Sequence, residues 1–542
     1  MEIIMKQQKS VLRNKLTYIV FLLIFRCLIR VLSLVLFILL SLLSKNGFSQ
    51  NYFNLKYNVC DTLAYDFSTT ILPFGEGYIS YGQCYLPTRS DLTLMKVGLQ
   101  GEKVWVKEFA NEGVLYGVGQ PKSMIPTQDG QFALVGLIRT PYSGWVRDRG
   151  LIMKLSPDFD SIWTRTYGDQ VEPCDSAYLF RQLKQDPDGD YTIVGGMMDR
   201  NAQLAQFFLL HTDSLGTKIW DGFYGTAPYQ IEPYCVCHTS DNGYVLGGDQ
   251  WIDELQTVDP VIYKTDSLGN EEWSKNLGSD YTDGMAIVGI AADGNIIVGT
   301  TLGDSIIYPY HYYGKKYFTK MDNEGNVLWE RTFGSSYLDP WLMSMEVLDD
   351  GRIISTGYRR TFYPAVPEMV GWIFCLNSDG DSLWYREYSL LNGENSENCL
   401  YDVTMANDNG FIACGYVRPA PPDTGTDDTW IIKVDSIGCE SLENCWAGVD
   451  EKPEMEPPEP CVINVFPNPS NDNVFFGISP ALKPEEMDLT VFNLMGVTVF
   501  HQPVHLSSGL FELDISSWPA GMYVARIVFM NEVAGTVKFV KE

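Results

Sequence analysis

From Tyr78 onward the chain alternates short apolar runs with turn signals at a recurring spacing. Tight turns stand at Asp129-Gly130, Asp188-Gly189, Asn242-Gly243, Asp293-Gly294, Asp350-Gly351 and Asn409-Gly410, with Glu76-Gly77 as a weaker first member. Gly or Asn supplies positive φ cheaply, and the doublets predict two-residue hairpin turns. The runs that follow, such as Tyr244-Val-Leu-Gly247 and Asn295-Ile-Ile-Val-Gly299, are short and rich in β-branched residues, which reads as strand. A second signal comes later in each repeat, best seen in Lys264-Thr-Asp-Ser-Leu-Gly-Asn-Glu-Glu-Trp273. Trp follows the marked Asp position by seven residues at Trp105, Trp163, Trp220, Trp273, Trp329 and Trp384. Gly follows it by three at Gly101, Gly216, Gly269, Gly325, Gly380 and Gly438, and only Phe159 departs.

Successive Asp-Gly turns lie 51 to 59 residues apart. A period that long, with four strand signals in each unit, predicts an all-β fold of β-propeller blades rather than a helical solenoid. Strand one runs into the Asp-Gly turn, a variable loop follows strand two, and the Asp-x-x-Gly turn opens strand four with its Trp. A large residue four positions after each Trp shares its strand face, so the six Trp residues are expected to pack between blades. The last unit has no Trp after Asp435, yet Phe53-Asn-Leu-Lys-Tyr57 matches the strand-four pattern. The N-terminal strand is therefore expected to close the last blade of a seven-bladed β-propeller spanning residues 50–446, which removes an exposed edge. The repeat resembles those of secreted propellers in exported bacterial proteins. Its spacing differs from that of the Asp box, Asp-x-Gly-x-x-Trp.

Charge narrows the partners. The chain carries -29, and without residues 1–49 it sits near -35, because that segment holds seven Lys or Arg and one Glu. Such a surface argues against nucleic acid and anionic lipid as partners. Residues 1–49 read as a signal peptide: Lys6, Lys9, Arg13 and Lys15 precede an apolar run from Val31 to Leu43, and Gly47-Phe-Ser49 offers a cleavage site. Export permits disulfides, and Cys439 with Cys445 is the candidate local bridge.

Residues 447–461 form an acidic, Pro-rich linker, expected to be extended. Beyond it, residues 462–542 show alternating strands of a small Ig-like β-sandwich. Four motifs there, Phe466-Pro-Asn-Pro-Ser470, Val491-Phe-Asn-Leu-Met-Gly496, Leu513-Asp-Ile-Ser-Ser-Trp-Pro-Ala-Gly-Met-Tyr523 and Lys538-Phe-Val-Lys541, stand in order at the C-terminus. They resemble the type A C-terminal sorting domain of the type IX secretion system of Bacteroidota. Its signature falls on Pro467, Asn468, Pro469, Gly496, Leu513, Asp514, Gly521, Tyr523, Lys538 and Lys541. The resemblance implies the type IX machinery as partner, delivery to the outer surface or medium after signal-peptide cleavage, and membrane contact only through export or lipopolysaccharide attachment.

Loops after strand two share one phase of the repeat and so one rim. Trp145, Arg147, Arg149, Tyr310, Tyr312, Arg359, Arg360, Tyr363 and Arg418 are the candidate binding residues there, being of the types enriched at binding hot spots. Scattered catalytic residues cannot be aligned from one sequence, and no catalytic set, metal or cofactor is assigned. Cys235-Val-Cys237-His238 lacks a second ligand pair at usable spacing, and Asp423-Thr-Gly-Thr-Asp-Asp428 reads as a solvated turn. The leading expectation is a binding module for a glycan or protein ligand. The alternative is a secreted glycan-active hydrolase or lyase with its site in the propeller funnel.

Overall fold

The computed structural model describes residues 51–60, 64–86, 89–142, 145–168, 176–199, 204–227, 231–252, 257–306, 312–334, 339–361, 368–392, 395–420, 426–441, 463–478, 487–493, 498–504, 510–529 and 532–542. The expected signal peptide and acidic linker lie outside them. The described residues are all-β, with no helix, and the strands before residue 435 build a propeller-like array. Antiparallel four-stranded groups follow one another in sequence: Tyr65–Phe109, Leu115–Tyr167, Ser176–Ala227, Ile231–Asn276, Ile287–Phe333, Asp339–Tyr388, and Glu397–Val434 completed by Phe53–Tyr57. They are called groups one to seven below.

The first strand pairs antiparallel with the strand that holds Trp430, in the register Phe53↔Lys433 to Tyr57↔Thr429. Asn54 accepts from the Trp430 indole at 2.6 Å, which fixes that register. Buried apolar clusters fill the seams. One joins groups one and two around Leu94 and Leu134, the next two and three around Val135 and Ile193, the next three and four around Phe207 and Leu246. Another spans groups four to six, and a further one joins six and seven. The last seam, with Phe53, Tyr57, Ile71, Tyr78, Ile412 and Ile431, brings group seven back onto group one.

Both kinds of turn have one geometry. Thr127 N–H donates to Gln131 O and Gly130 N–H to Thr127 O, each at 2.9 Å, and Asp213, Gly216 and Thr217 repeat the pattern. These are three-residue loops closed by a residue of positive φ, not the two-residue turns expected from the doublets, except at Glu76-Gly77, where Phe74 N–H donates to Gly77 O at 2.9 Å across two residues. The reason is visible at Asn242 and Asn409, where Asn takes the positive φ. The following Gly243 and Gly410 are needed because a Cβ there would lie 2.1 and 2.3 Å from the carbonyls of Thr265 and Val434. In the second kind of turn the marked Asp caps the loop: Asp266 Oδ1 accepts from Leu268 and Asn270 N–H at 2.9 and 2.8 Å.

Each outer-strand Trp lies against the turn glycine of the next group. A Cβ on Gly269 would sit 2.5 Å from Trp220, and the same relation links Trp163 to Gly216, Trp273 to Gly325, Trp329 to Gly380 and Trp384 to Gly438. Trp105 meets Phe159 instead, at 5.4 Å between ring centroids. The closing strand takes part: Phe53 covers Gly101, and Tyr57 Oη donates to Gly101 O at 2.7 Å. Cys60 and Cys84 form a disulfide that ties the end of this strand to group one. Sequence reading did not single that pair out. Cys439 is disulfide-bonded, and its expected partner Cys445 lies outside the described residues.

Residues 463–542 are described by themselves. A three-stranded sheet (Ile463–Phe466, Asn473–Ile478, Leu510–Asp514) and a four-stranded one (Met487–Asn493, Thr498–Val504, Gly521–Phe529, Glu532–Lys541) share one core. Val474, Phe476 and Leu513 from the first meet Leu489, Val491, Tyr523 and Phe539 from the second. Asn468 accepts from Val540 N–H at 2.9 Å, and the Phe466–Pro467 and Asn468–Pro469 bonds are cis. Tyr523 Oη donates to Pro519 O at 2.7 Å, and Asp514 caps Ser516 N–H at 2.9 Å. Lys541 is buried and Lys538 exposed, while Gly496 lies outside the described residues.

Candidate functional site: the axial belt

The innermost strands share a defect. Their pairing shifts by one residue between Ser68 and Thr70, Phe180 and Gln182, Pro233 and Cys235, Leu342 and Ser344, and Leu400 and Asp402. Each is a β-bulge, which lifts one residue out of alternation and re-aims its side chain. The bulged residues are Thr69, Arg181, Tyr234, Met343 and Tyr401. In group two the defect grows into the segment Gly119–Ser123, which splits the inner strand into Leu115–Val118 and Met124–Pro126.

That segment plugs the centre of the array. Lys122, at φ 63°, reaches Glu346 of group six at 2.7 Å and Asp402 of group seven at 3.2 Å, and donates to Val403 O at 3.1 Å. Gln120 N–H donates to Arg181 O at 2.8 Å, Gln182 donates to Pro121 O at 3.0 Å, and Ser123 N–H donates to Thr70 at 3.0 Å. Asp402 also accepts from Ser344 at 2.8 Å and from Ile71 N–H at 3.2 Å, and Gln182 accepts from Val236 N–H at 3.0 Å. One short segment thus engages groups one, three, six and seven. Burial would pull the Lys122 ammonium down, but the Asp402 and Glu346 carboxylates outweigh it and hold it above its usual range.

Beside the plug lies a polar group on groups three and four. Arg181 Nη2 is 3.5 Å from Glu232 Oε2, to which Tyr234 Oη donates at 3.2 Å. Glu232 is the direct cross-strand partner of Asp249. Burial first, then the Glu232 charge, push Asp249 up to about 7, although it accepts from Glu232 N–H. The Glu232 side chain is 44% exposed, so the group opens to solvent. It lies toward the end of its strand opposite the turn at Thr239–Gly243, the end at which one group connects to the next.

Of the expected rim residues, Arg359, Arg360 and Arg418 have partners within the fold. Arg359 is buried between Glu387 and Glu368, at 2.7 and 3.0 Å. Arg418 clamps Asp427 and Glu397 and covers the Tyr416 ring. Arg360 lies over Tyr358 at 5.2 Å, and Arg149 has its Nε buried without a hydrogen-bond partner among the described residues. The side chains of Trp145, Arg147 and Tyr312, and all of Tyr310 and Tyr363, lie outside the described residues. The Arg359 and Arg418 guanidiniums therefore hold strand ends together, whereas the Arg181 group, which sequence reading missed, joins two strand groups. Cys235 is buried against Val288 N–H at 3.2 Å, and His238 pairs with Asp186 of the preceding group.

Residues 464–542 match the family described as "Secretion system C-terminal sorting domain". The chain carries a type IX sorting tail. This tail implies handling by the type IX secretion machinery and export to the cell surface or medium. No curated relative matches. Solved structures similar to the chain include a protein from Dyadobacter fermentans (TM-score 0.38, 11% identity, 60% of this chain and 99% of that one). An α-L-arabinofuranosidase from Fusarium graminearum scores 0.38 at 12% identity over 61% and 95%. The β-propeller domain of the Trilobed protease from Pyrococcus furiosus scores 0.35 at 10% identity over 68% of this chain and 93% of that one.

Proposed function

We propose that the protein is an exported binding module of Bacteroidota type: a signal peptide, a closed seven-bladed β-propeller, an acidic linker and an Ig-like sorting domain. The strand groups are its blades, and Phe53–Tyr57 is the outer strand of the seventh. The sorting tail at residues 464–542 carries the reading, because it commits the chain to the type IX route. The propeller is then the cargo, and its loop-bearing face engages a glycan or protein outside the cell. The Lys122 plug supports this by occupying the axis, so that ligand enters from that face. The test is deletion of residues 462–542 in the native host. A folded propeller retained in the periplasm is expected, and its continued arrival at the surface or in the medium would overturn the reading.

A further inference from the structure

We propose that Glu232 and Asp249 are the nucleophile and the acid/base of a retaining glycosidase site for neutral glycans, with Tyr234 and Arg181 as positioning residues. The inference rests on the loop-bearing face being the ligand face, and it goes beyond binding.

Five observations converge. Glu232 and Asp249 are direct partners on adjacent antiparallel strands. Such pairs hold their Cβ atoms about 5 Å apart, which sets the two carboxyls side by side on one face of the sheet, close enough for the Glu232 charge to raise Asp249, and a close pair is the arrangement of double displacement. Their environments differ in kind. Glu232 is half-exposed beside the Arg181 guanidinium and accepts from Tyr234, whereas Asp249 has no ion-pair partner among the described residues. Burial and the neighbouring carboxylate keep Asp249 protonated up to about pH 7, as a general acid must be. Arg181 and Tyr234 are both bulged residues, set apart from the alternation that packs the core. Arg181 O also anchors the plug, so the pair lies beside the filled axis. The chain's net charge of -29 disfavours polyanionic sugars.

In the first step a Glu232 oxygen bonds the anomeric carbon as the glycosidic C–O bond breaks. The Asp249 proton passes to the leaving oxygen, which departs as an alcohol. In the second, the Asp249 carboxylate takes a proton from water, whose oxygen displaces Glu232. The balance is one glycoside plus one water giving two hydroxyl products, with both carboxyls restored.

The experiment uses the mature full-length chain with 4-nitrophenyl glycosides and disaccharides of glucose, galactose, mannose, xylose and arabinose. Hydrolysis with retained anomeric configuration is expected for at least one sugar. Asp249→Asn should lower disaccharide hydrolysis by at least a hundredfold while sparing the first-turnover burst of 4-nitrophenol from the 4-nitrophenyl glycoside, whose leaving group needs no proton, and azide, which needs no base, should restore its turnover. A merely structural role would lower both alike. The matching 2-deoxy-2-fluoro glycoside should add covalently to Glu232, read by peptide mass. No hydrolysis of any probe, inverted product, or label on another residue would overturn the proposal. Sugar binding on a glycan array without turnover would also overturn it, while leaving the binding reading in place.

Discussion

Replacing Gly269 with Ala tests the seam in which each Trp covers the next group's turn. Two costs add. Gly269 has φ +78°, where an L residue costs about 1–2 kcal/mol. The new Cβ would also stand 2.5 Å from Trp220, and overpacking of that kind costs about 1–3 kcal/mol. Gly269→Ala should therefore destabilise by about 2–5 kcal/mol. In a Trp220→Ala background only the backbone cost remains, about 1–2 kcal/mol, so the two changes should couple by about 1–3 kcal/mol. Urea unfolding followed by far-ultraviolet circular dichroism measures all four proteins without relying on Trp220 fluorescence. Equal costs for Gly269→Ala in both backgrounds would refute the seam. Phe159 shows what the alternative requires: at φ 63° it keeps a side chain only because Trp105, Phe74 and Phe132 are arranged around it.

Further outcomes follow from the same structure. Lys122→Met should cost about 3–5 kcal/mol in the same unfolding assay, because it strands the buried Asp402 beside Glu346. Replacing Cys60 and Cys84 by Ala opens a link across 24 residues and should cost about 3 kcal/mol, seen as a lower thermal midpoint. His211 and His238 both meet Asp186. The hydrogen bond to Asp186 raises His211, while burial of Asp186 is outweighed by the two histidines, which hold it at about 2. A raised histidine stabilises below its unfolded value and loses that contribution as pH climbs through its folded one. The thermal midpoint should therefore fall as pH rises above about 6.5, the ordinary histidine value, and His211→Asn should flatten that fall; an unchanged slope would exclude the pair as its source.

What could be read from sequence is what the backbone forces on it. The turn glycines are fixed twice over, by positive φ at Gly101, Gly216 and Gly269 and by the ring stacked on each, so the repeat is written plainly. Phe53 could be matched to the Trp positions because it performs their packing on Gly101. Turn length was misread because Asp-Gly and Asn-Gly look alike, although positive φ falls on Gly130 in one and on Asn242 in the other. The axial belt was not legible. A bulge leaves no periodic mark, and Arg181, Glu232, Tyr234 and Asp249 meet only after two strand groups pack side by side. Nor could the Cys60–Cys84 bond be seen, since it depends on where the closing strand ends. Arg359 and Arg418 were legible as rim residues by type, but not their ion pairs with Glu387 and Asp427, which depend on how the strands pair.

The proposed closure of the ring is tested most directly by hydrogen exchange at Thr429–Lys433, compared between the mature chain and one beginning at Asn58. The amides of this stretch that point toward Phe53–Tyr57 should be protected in the mature chain and exchange faster by orders of magnitude without that strand, while Thr429 N–H, which donates to Asp66 at 2.8 Å, and the alternate amides, which face Ile412–Tyr416, serve as controls. Equal protection in both chains would mean that the last group does not depend on the first strand, and would contradict the ring.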